Sequence, residues 1–191
     1  MMRPSFFTAC LKFLFGYLGV VMLVIAFAAF LNIRINDNFA VLTPGAVYRS
    51  GQLPPTRLDH VLRTYSIRSV LNLRGRSSSR WYAEEIEACG AAGVEHYDRK
   101  LSARKFVTPS DLGEIIELIR VAPKPILIHC NGGADRTGLV AAAWRIAGEH
   151  ATPHRAEQEL SLWRGHAPFF IWKKSAAMDE SFRRFTNSQK H

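Results

Sequence analysis

Cysteine is scarce in this chain, and the patterns missing around it exclude several kinds of site. The 191 residues contain three cysteines, Cys10, Cys89 and Cys130, with no CxxC pair and no His/Cys spacing of the zinc-binding type. An odd and sparse set excludes a disulfide framework and leaves at least one thiol free. The sequence therefore predicts neither a metal site nor a cofactor.

Long runs of basic residues are also absent, although the chain is strongly basic. The formal net charge is +9 and the pI is about 9.9, with lysine and arginine spread along the whole length. This balance favours anionic partners: phosphorylated substrates, an anionic membrane surface or nucleic acid. No nucleic-acid-binding module, zinc finger or interleaved basic and aromatic stripe is present, so we expect no nucleic-acid partner. A solvated basic surface is the alternative to a charged substrate groove.

Charge disappears altogether from one segment near the N-terminus. Residues 13–31 contain no charged side chain, and a helix of that length nearly spans a hydrocarbon core of roughly 30 Å. We predict that residues 1–31 are an anchor that makes this a single-pass membrane protein, with a bacterial inner membrane as the expected location. A cleaved signal segment is the alternative, because residues 26–28 (Ala-Phe-Ala) offer a cleavage site.

Two arguments about the side of the membrane oppose each other. Arg3 and Lys12 precede the apolar run, which predicts that the N-terminus faces the cytosol and that the rest of the chain lies outside. A free thiol favours the reducing cytosol instead. The sequence leaves both orientations open.

After a linker at residues 32–40, strand-like and helix-like stretches alternate. We predict strands at 47–49, 69–73, 94–97 and 125–129, and helices at 55–65, 79–91, 109–121, 137–148, 153–163 and 170–185. This alternation predicts an α/β domain over residues 41–191, with a central, mostly parallel sheet flanked by helices. Ligands bind such sheets beyond the carboxyl ends of the strands. The loop after 125–129 is therefore the expected site.

A glycine-rich segment occupies that loop, and it reads His129-Cys130-Asn131-Gly132-Gly133-Ala134-Asp135-Arg136-Thr137-Gly138. Five residues separate the cysteine from the arginine, a length that lets consecutive backbone N–H groups point inward as an anion nest. Gly132 and Gly133 permit unusual dihedral angles and a close approach to phosphate oxygens. The helix that begins near Thr137 adds its positive N-terminal end.

The same segment predicts a nucleophile and a clamp for phosphate. Arg136 can fork onto two phosphate oxygens, a geometry that lysine lacks. The N–H donors and the helix N-terminus stabilise the thiolate of Cys130, the form of cysteine that acts as a nucleophile. Thr137 can donate a hydrogen bond to the sulfur of Cys130. The alternative interpretation of Cys130 is a buried structural cysteine before a turn. The predicted substrate-binding residues are Asn131, Gly132, Gly133, Ala134, Asp135 and Thr137.

HCNGGADRTG resembles the active-site loop of the protein tyrosine and dual-specificity phosphatase superfamily, whose signature is a cysteine, any five residues and an arginine. Upstream, VYRSGQLPP and SVLNLRG resemble the opening of compact dual-specificity-like phosphatases of bacteria, fungi and plants. The resemblance covers about residues 41–150. It implies a dual-specificity phosphatase-like fold and a phosphatase that works through a cysteinyl-phosphate intermediate.

The superfamily also uses a carboxylic acid on a separate loop to protonate the leaving oxygen and then to activate water. Asp98 matches the position of that acid, just after a strand and before the nucleophile, and an ordinary surface aspartate is the alternative. Asp135 is the rival, because some lipid-directed members carry Gly-x-Asp-Arg-Thr at this place. Asp111 is a third candidate, which we assign instead to the first turn of a helix.

Three functions fit this sequence. The first is the dephosphorylation of proteins by a phosphotyrosine or dual-specificity phosphatase, which is the commonest activity of the superfamily. A phosphatase of phospholipid head groups, such as a phosphoinositide or phosphatidylglycerophosphate, is favoured by the anchor, the basic charge and Asp135. A non-catalytic phosphate-binding module is the third, and it requires that neither Asp98 nor Asp135 acts as an acid.

Overall fold

Five strands form one mixed sheet in the computed structural model, which describes residues 6–167 and 176–189. The strands are β1 (Ala40–Thr43), β2 (Val47–Ser50), β3 (Ser69–Asn72), β4 (Glu95–Asp98) and β5 (Ile126–His129). Their order in the sheet is β1-β2-β5-β3-β4. All neighbours are parallel except β1, which runs antiparallel to β2.

Helices cover both faces of this sheet. The described helices are α1 (Phe6–Ile35), α2 (Pro55–Thr64), α3 (Arg80–Ala91), α4 (Pro109–Val121), α5 (Asp135–Ala147), α6 (Pro153–Glu157) and α7 (Ala176–Ser188), of which α2 and α3 pack on one face and α4, α5 and α7 on the other. On β5, Ile126 and Ile128 pack into the core that holds α4, α5 and α7, whereas Leu127 packs into the core that holds α2 and α3. Alternate strand residues point to opposite faces, so the predicted α/β fold with flanking helices is confirmed.

The helix α4 shows how closely local pattern determines local structure. Its buried residues are Leu112, Ile115, Ile116 and Ile119, the apolar stripe expected of a helix with one face against the core. Thr108 caps the N-terminus, because its side chain accepts a hydrogen bond from the backbone N–H of Asp111. Asp111 completes this capping box, which confirms its assignment to the first turn of the helix.

Two elements differ from the sequence prediction. Strand β1 was not predicted; it has four residues, lies at the edge of the sheet and has one buried residue, so its pattern is too short to recognise. The single helix predicted at 153–163 is wrong, because Ser161 is extended (φ −115°, ψ 160°) between the 3₁₀ turns Gln158–Leu160 and Leu162–Arg164. The helix predicted at 170–185 falls partly outside the described residues and is helical from Ala176.

The N-terminal helix α1 extends beyond the apolar run to Ile35. Its segment Cys10–Ala28 is long and apolar enough to cross a membrane, and no other part of the described chain buries it. A signal sequence satisfies the same criteria of length and composition. Residues 32–40, predicted as a linker, contain the end of α1 and the first residue of β1.

Two residues of α4 that differ in burial provide a matched test of the core. Ile119 is fully buried, whereas Val121 on the same helix is 69% exposed. Ile119→Ala should lower the free energy of unfolding by about 2–5 kcal/mol, because it leaves a cavity in a close-packed core. Val121→Ala should change it by less than about 0.5 kcal/mol. Urea denaturation of both variants measures the difference, and equal effects would contradict the placement of α4.

Candidate active site

The glycine-rich loop connects the carboxyl end of β5 to the N-terminus of α5. Cys130 directly follows β5 and is 2% exposed. It lines a cavity of about 310 Å³ together with Asn131, Gly132, Ala134, Asp135, Arg136 and Gly165. The structure thus brings most of the predicted site residues to one cavity at the expected edge of the sheet. Gly133 and Thr137 lie behind it, both buried.

Gly133 is required by the shape of the loop. Its φ is +67°, a conformation that residues with a Cβ rarely adopt. A Cβ at this position would lie 2.7 Å from the backbone nitrogen of Gly51 and 2.8 Å from the carbonyl carbon of Ser50. Thr137 also contacts this segment, because its hydroxyl donates to the Ser50 carbonyl at 3.4 Å. The loop is therefore packed tightly against the end of β2.

A buried arginine on β2 holds the glycine-rich loop in place through a hydrogen bond. Arg49 is fully buried, and its guanidinium donates to the carbonyl of Gly133 and, at 2.5 Å, to the carboxylate of Glu159. Burial lowers the pKa of Arg49, and the charge of Glu159 opposes that effect. Arg49 could not be recognised from the sequence, since one arginine in a short strand carries no local signal of burial.

A second buried group orients His129, the residue before Cys130. Glu85 on α3 is 3% exposed and accepts hydrogen bonds from His129 at 3.1 Å, His96 at 2.8 Å and Gln52 at 2.6 Å. Burial alone would raise the pKa of Glu85, but these hydrogen bonds lower it to about 2. Glu85 is therefore a carboxylate at neutral pH, and its hydrogen bond fixes the ring of His129.

Arg136 lies at the opposite end of the loop from Cys130. Its Nη1 is 3.4 Å from the carbonyl oxygens of Leu73 and Leu101. Its Nε is buried and has no hydrogen-bond acceptor among the described residues. Buried donors are almost always paired, so this one has its hydrogen bond available for a ligand.

A second arginine lies close to the same cavity. Arg74 stacks on the ring of Trp81 at 3.5 Å and donates to Gln52 at 3.0 Å. Burial and the charge of Arg136 lower the pKa of Arg74, whereas the charges of Glu85 and Cys130 oppose this. Arg74 is thus near enough to Arg136 to be repelled by it.

Asp98, the predicted acid, ends β4, which is separated from β5 by β3. One carboxylate oxygen accepts from Asn72 at 2.9 Å, and the other accepts from the hydroxyl of Tyr82 at 2.6 Å. Arg76 is 3.5 Å away. Burial and the hydrogen bond that its hydroxyl donates to Asp98 raise the pKa of Tyr82 to about 12. Asp98 is not among the described residues that line the cavity beside Cys130.

Asp135, the rival acid, does line the cavity, and it belongs to a chain of charged groups centred on one buried histidine. His166 is 1% exposed and donates to Asp135 at 2.8 Å and to Asp179 of α7 at 3.1 Å. Burial alone would lower the pKa of His166, but the two carboxylates raise it to about 9. His166 had no recognisable partner spacing in the sequence, because its partners lie on two different helices.

The sequence model of the tyrosine phosphatase family matches residues 33–150. The chain belongs to the tyrosine phosphatase family. The loop from Cys130 to Arg136 lies inside the matched region. The predicted membership of this superfamily is confirmed.

Solved structures share the fold at low sequence identity. TpbA of P. aeruginosa is 21% identical, covers 82% of this chain and 92% of its own, and gives a TM-score of 0.61. The catalytic core of the PP-IP phosphatase Siw14 from S. cerevisiae is 20% identical over 80% and 93% of the two chains, with a TM-score of 0.60. PTPMT1 is 16% identical over 80% and 99%, with a TM-score of 0.58.

The charge chain through His166 predicts a pH-dependent stability. Because the folded protein holds this proton more tightly than the unfolded chain, whose pKa is near 6.5, the contribution is complete below about pH 6.5 and is lost as pH rises through about 9. His166→Asn should therefore cost up to about 3 kcal/mol below pH 6.5 and progressively less towards pH 9. Denaturation across this range measures it, with the exposed His154→Asn as the control. A cost that is constant with pH would contradict the assignment.

Proposed function

We propose that this chain hydrolyses phosphomonoesters through a covalent cysteinyl phosphate at Cys130. The observation that carries the proposal is a buried thiol in one cavity with Arg136, whose Nε lacks an acceptor among the described residues. Backbone N–H groups of the loop and the N-terminus of α5 add further positive potential. A phosphate group satisfies all of these donors at once.

The reaction follows from this arrangement in two displacements. The thiolate of Cys130 attacks phosphorus, a P–S bond forms, and the bond from phosphorus to the leaving oxygen breaks. Arg136 and the loop N–H groups stabilise the charge on the transferring oxygens. The leaving oxygen takes a proton from an aspartic acid, and water then attacks phosphorus, returns a proton to that aspartate and releases the thiolate.

Two aspartates are candidates for the acid. Asp98 matches the superfamily position, and Asn72 and Tyr82 hold its carboxylate at the edge of the sheet. Asp135 lines the cavity itself, and His166 holds its carboxylate. Asp135 is one of the residues that line the cavity beside Cys130, whereas Asp98 is not.

The first candidate substrate is phosphotyrosine, or phosphotyrosine together with phosphoserine and phosphothreonine, in proteins. Membership of the tyrosine phosphatase family supports it. A variant of TpbA, which shares the fold, was solved in complex with pTyr. An aryl or alkyl phosphate of this kind is compatible with the chemistry of the cavity.

The second candidate is the phosphorylated head group of a membrane phospholipid. It is supported by Asn38, which follows the end of α1 by three residues. The amide of Asn38 donates to the carbonyl of Gly132 at 3.1 Å and to that of Arg164 at 2.8 Å. If α1 is a membrane anchor, this contact keeps the cavity close to the bilayer, where lipid head groups lie.

Replacement of the nucleophile tests the proposed reaction. Cys130→Ser should lower turnover below about one-thousandth of wild type on both a phosphotyrosine peptide and phosphatidylglycerophosphate in micelles. Arg136→Lys keeps the charge but loses the fork, so it should lose roughly 10²–10³-fold. The better of the two substrates identifies the class. Folded, reduced wild-type protein that releases phosphate from neither would indicate a binding module.

The identity of the acid is tested by the leaving group. The variant that lacks the acid, Asp98→Asn or Asp135→Asn, should lose roughly 10²–10⁴-fold on an alkyl phosphate. The same variant should lose far less on p-nitrophenyl phosphate, because its leaving group needs little protonation. The other variant is the control and should affect both substrates equally. Equal losses on the two substrates in both variants would exclude both aspartates.

A further inference from the structure

An exposed patch that is both apolar and basic lies where α1 meets the rest of the chain. It consists of Leu162 and Trp163 of the 3₁₀ turn Leu162–Arg164, together with Arg155 and Arg164, and we name it the interfacial patch. We propose that the interfacial patch docks on the surface of an anionic phospholipid bilayer, beside the mouth of the cavity that Cys130 lines. The proposal rests on α1 being a membrane anchor and is independent of the reaction at Cys130.

The apolar half of the patch is exposed without serving the protein core. Leu162 is 54% exposed and Trp163 is 49% exposed, and they are adjacent in the chain. The turn that carries them lies against α1, the helix with the membrane-length apolar segment. Tryptophan is enriched where a bilayer meets water, because its ring is apolar and its N–H is polar. A bilayer that holds α1 therefore offers this pair a fitting environment.

The basic half of the patch lines a cavity of about 430 Å³. Glu159, also in that lining, is already paired with Arg49 at 2.5 Å and with Arg145 at 3.1 Å. Burial alone would raise the pKa of Glu159, but Arg49, Arg164 and Arg145 lower it. The guanidinium groups of Arg155 and Arg164 thus add positive charge beyond what Glu159 balances. Phosphate groups of anionic lipids complement that charge.

The patch is continuous with the active site along the backbone. The carbonyl of Arg164 accepts from Asn38, which also holds the loop at Gly132. The next residue, Gly165, lines the cavity beside Cys130. Asn38 lies three positions after Ile35, the end of α1, a span of at most about 11 Å. Docking of the patch would therefore fix the mouth of the catalytic cavity at the level of the lipid head groups.

The full chain in lipid nanodiscs tests this docking. Quenching by lipids brominated near the head group is measured for wild type and for Trp163→Phe, and the difference isolates Trp163 from the other three tryptophans. In discs that contain phosphatidylglycerol we expect strong quenching of Trp163. Arg155→Gln should reduce the ratio of docked to undocked protein about fivefold, because one arginine near an anionic surface contributes about 1 kcal/mol. Arg120→Gln, an exposed arginine on α4, is the matched control and should leave the ratio unchanged.

The remaining outcomes either overturn a stated part of the proposal or separate it from the proposed reaction. Unquenched Trp163 in discs that retain the protein would overturn docking, and equal quenching in phosphatidylcholine discs would overturn its anionic character. A chain that fails to float with vesicles would overturn the anchor on which docking rests. Quenched Trp163 without phosphatase turnover would support docking and count against the proposed reaction, so the two failures are distinguishable.

Discussion

One buried guanidinium, that of Arg49, supports the shape of the loop that the rest of the site depends on. It joins β2 to the carbonyl of Gly133 and to the carboxylate of Glu159, far along the chain. Loss of one partner from such a buried pair costs roughly 3–5 kcal/mol, because the other charge is left uncompensated. The same contact ties the loop to the segment that continues into the interfacial patch. The catalytic loop is thus a rigid part of the fold.

The loop is also electrostatically prepared for an anion. Burial and the positive charge of Arg136 lower the pKa of Arg74, and the Nε of Arg136 has no acceptor among the described residues. A doubly charged phosphate relieves both conditions when it binds. Glu85 contributes from behind the loop, where it orients His129 through hydrogen bonds. The protein therefore holds its charges in place before the substrate arrives, which is the arrangement that lowers the barrier to phosphoryl transfer.

Features encoded by neighbouring residues could be predicted from the sequence, and features that depend on distant contacts could not. The spacing of Cys130 and Arg136 is local, as are the apolar stripe and cap of α4, and the structure has each where it was expected. Arg49, Glu85 and His166 acquire their partners only through the tertiary fold, so no spacing revealed them. Asp98 was predicted just after a strand and is instead the last residue of β4; strand order is not readable from one sequence, and β4 lies at the sheet edge.

We propose that phosphate passes through a covalent bond to Cys130. The most direct test of this proposal is rapid mixing of the full chain with a ³²P-labelled phosphomonoester, quenching within one turnover, and mapping of the labelled peptide. We expect ³²P label on the peptide that contains Cys130, and no label on the corresponding peptide of the Cys130→Ser variant. Turnover by wild type with no label on that peptide, or with label on another residue, would contradict it.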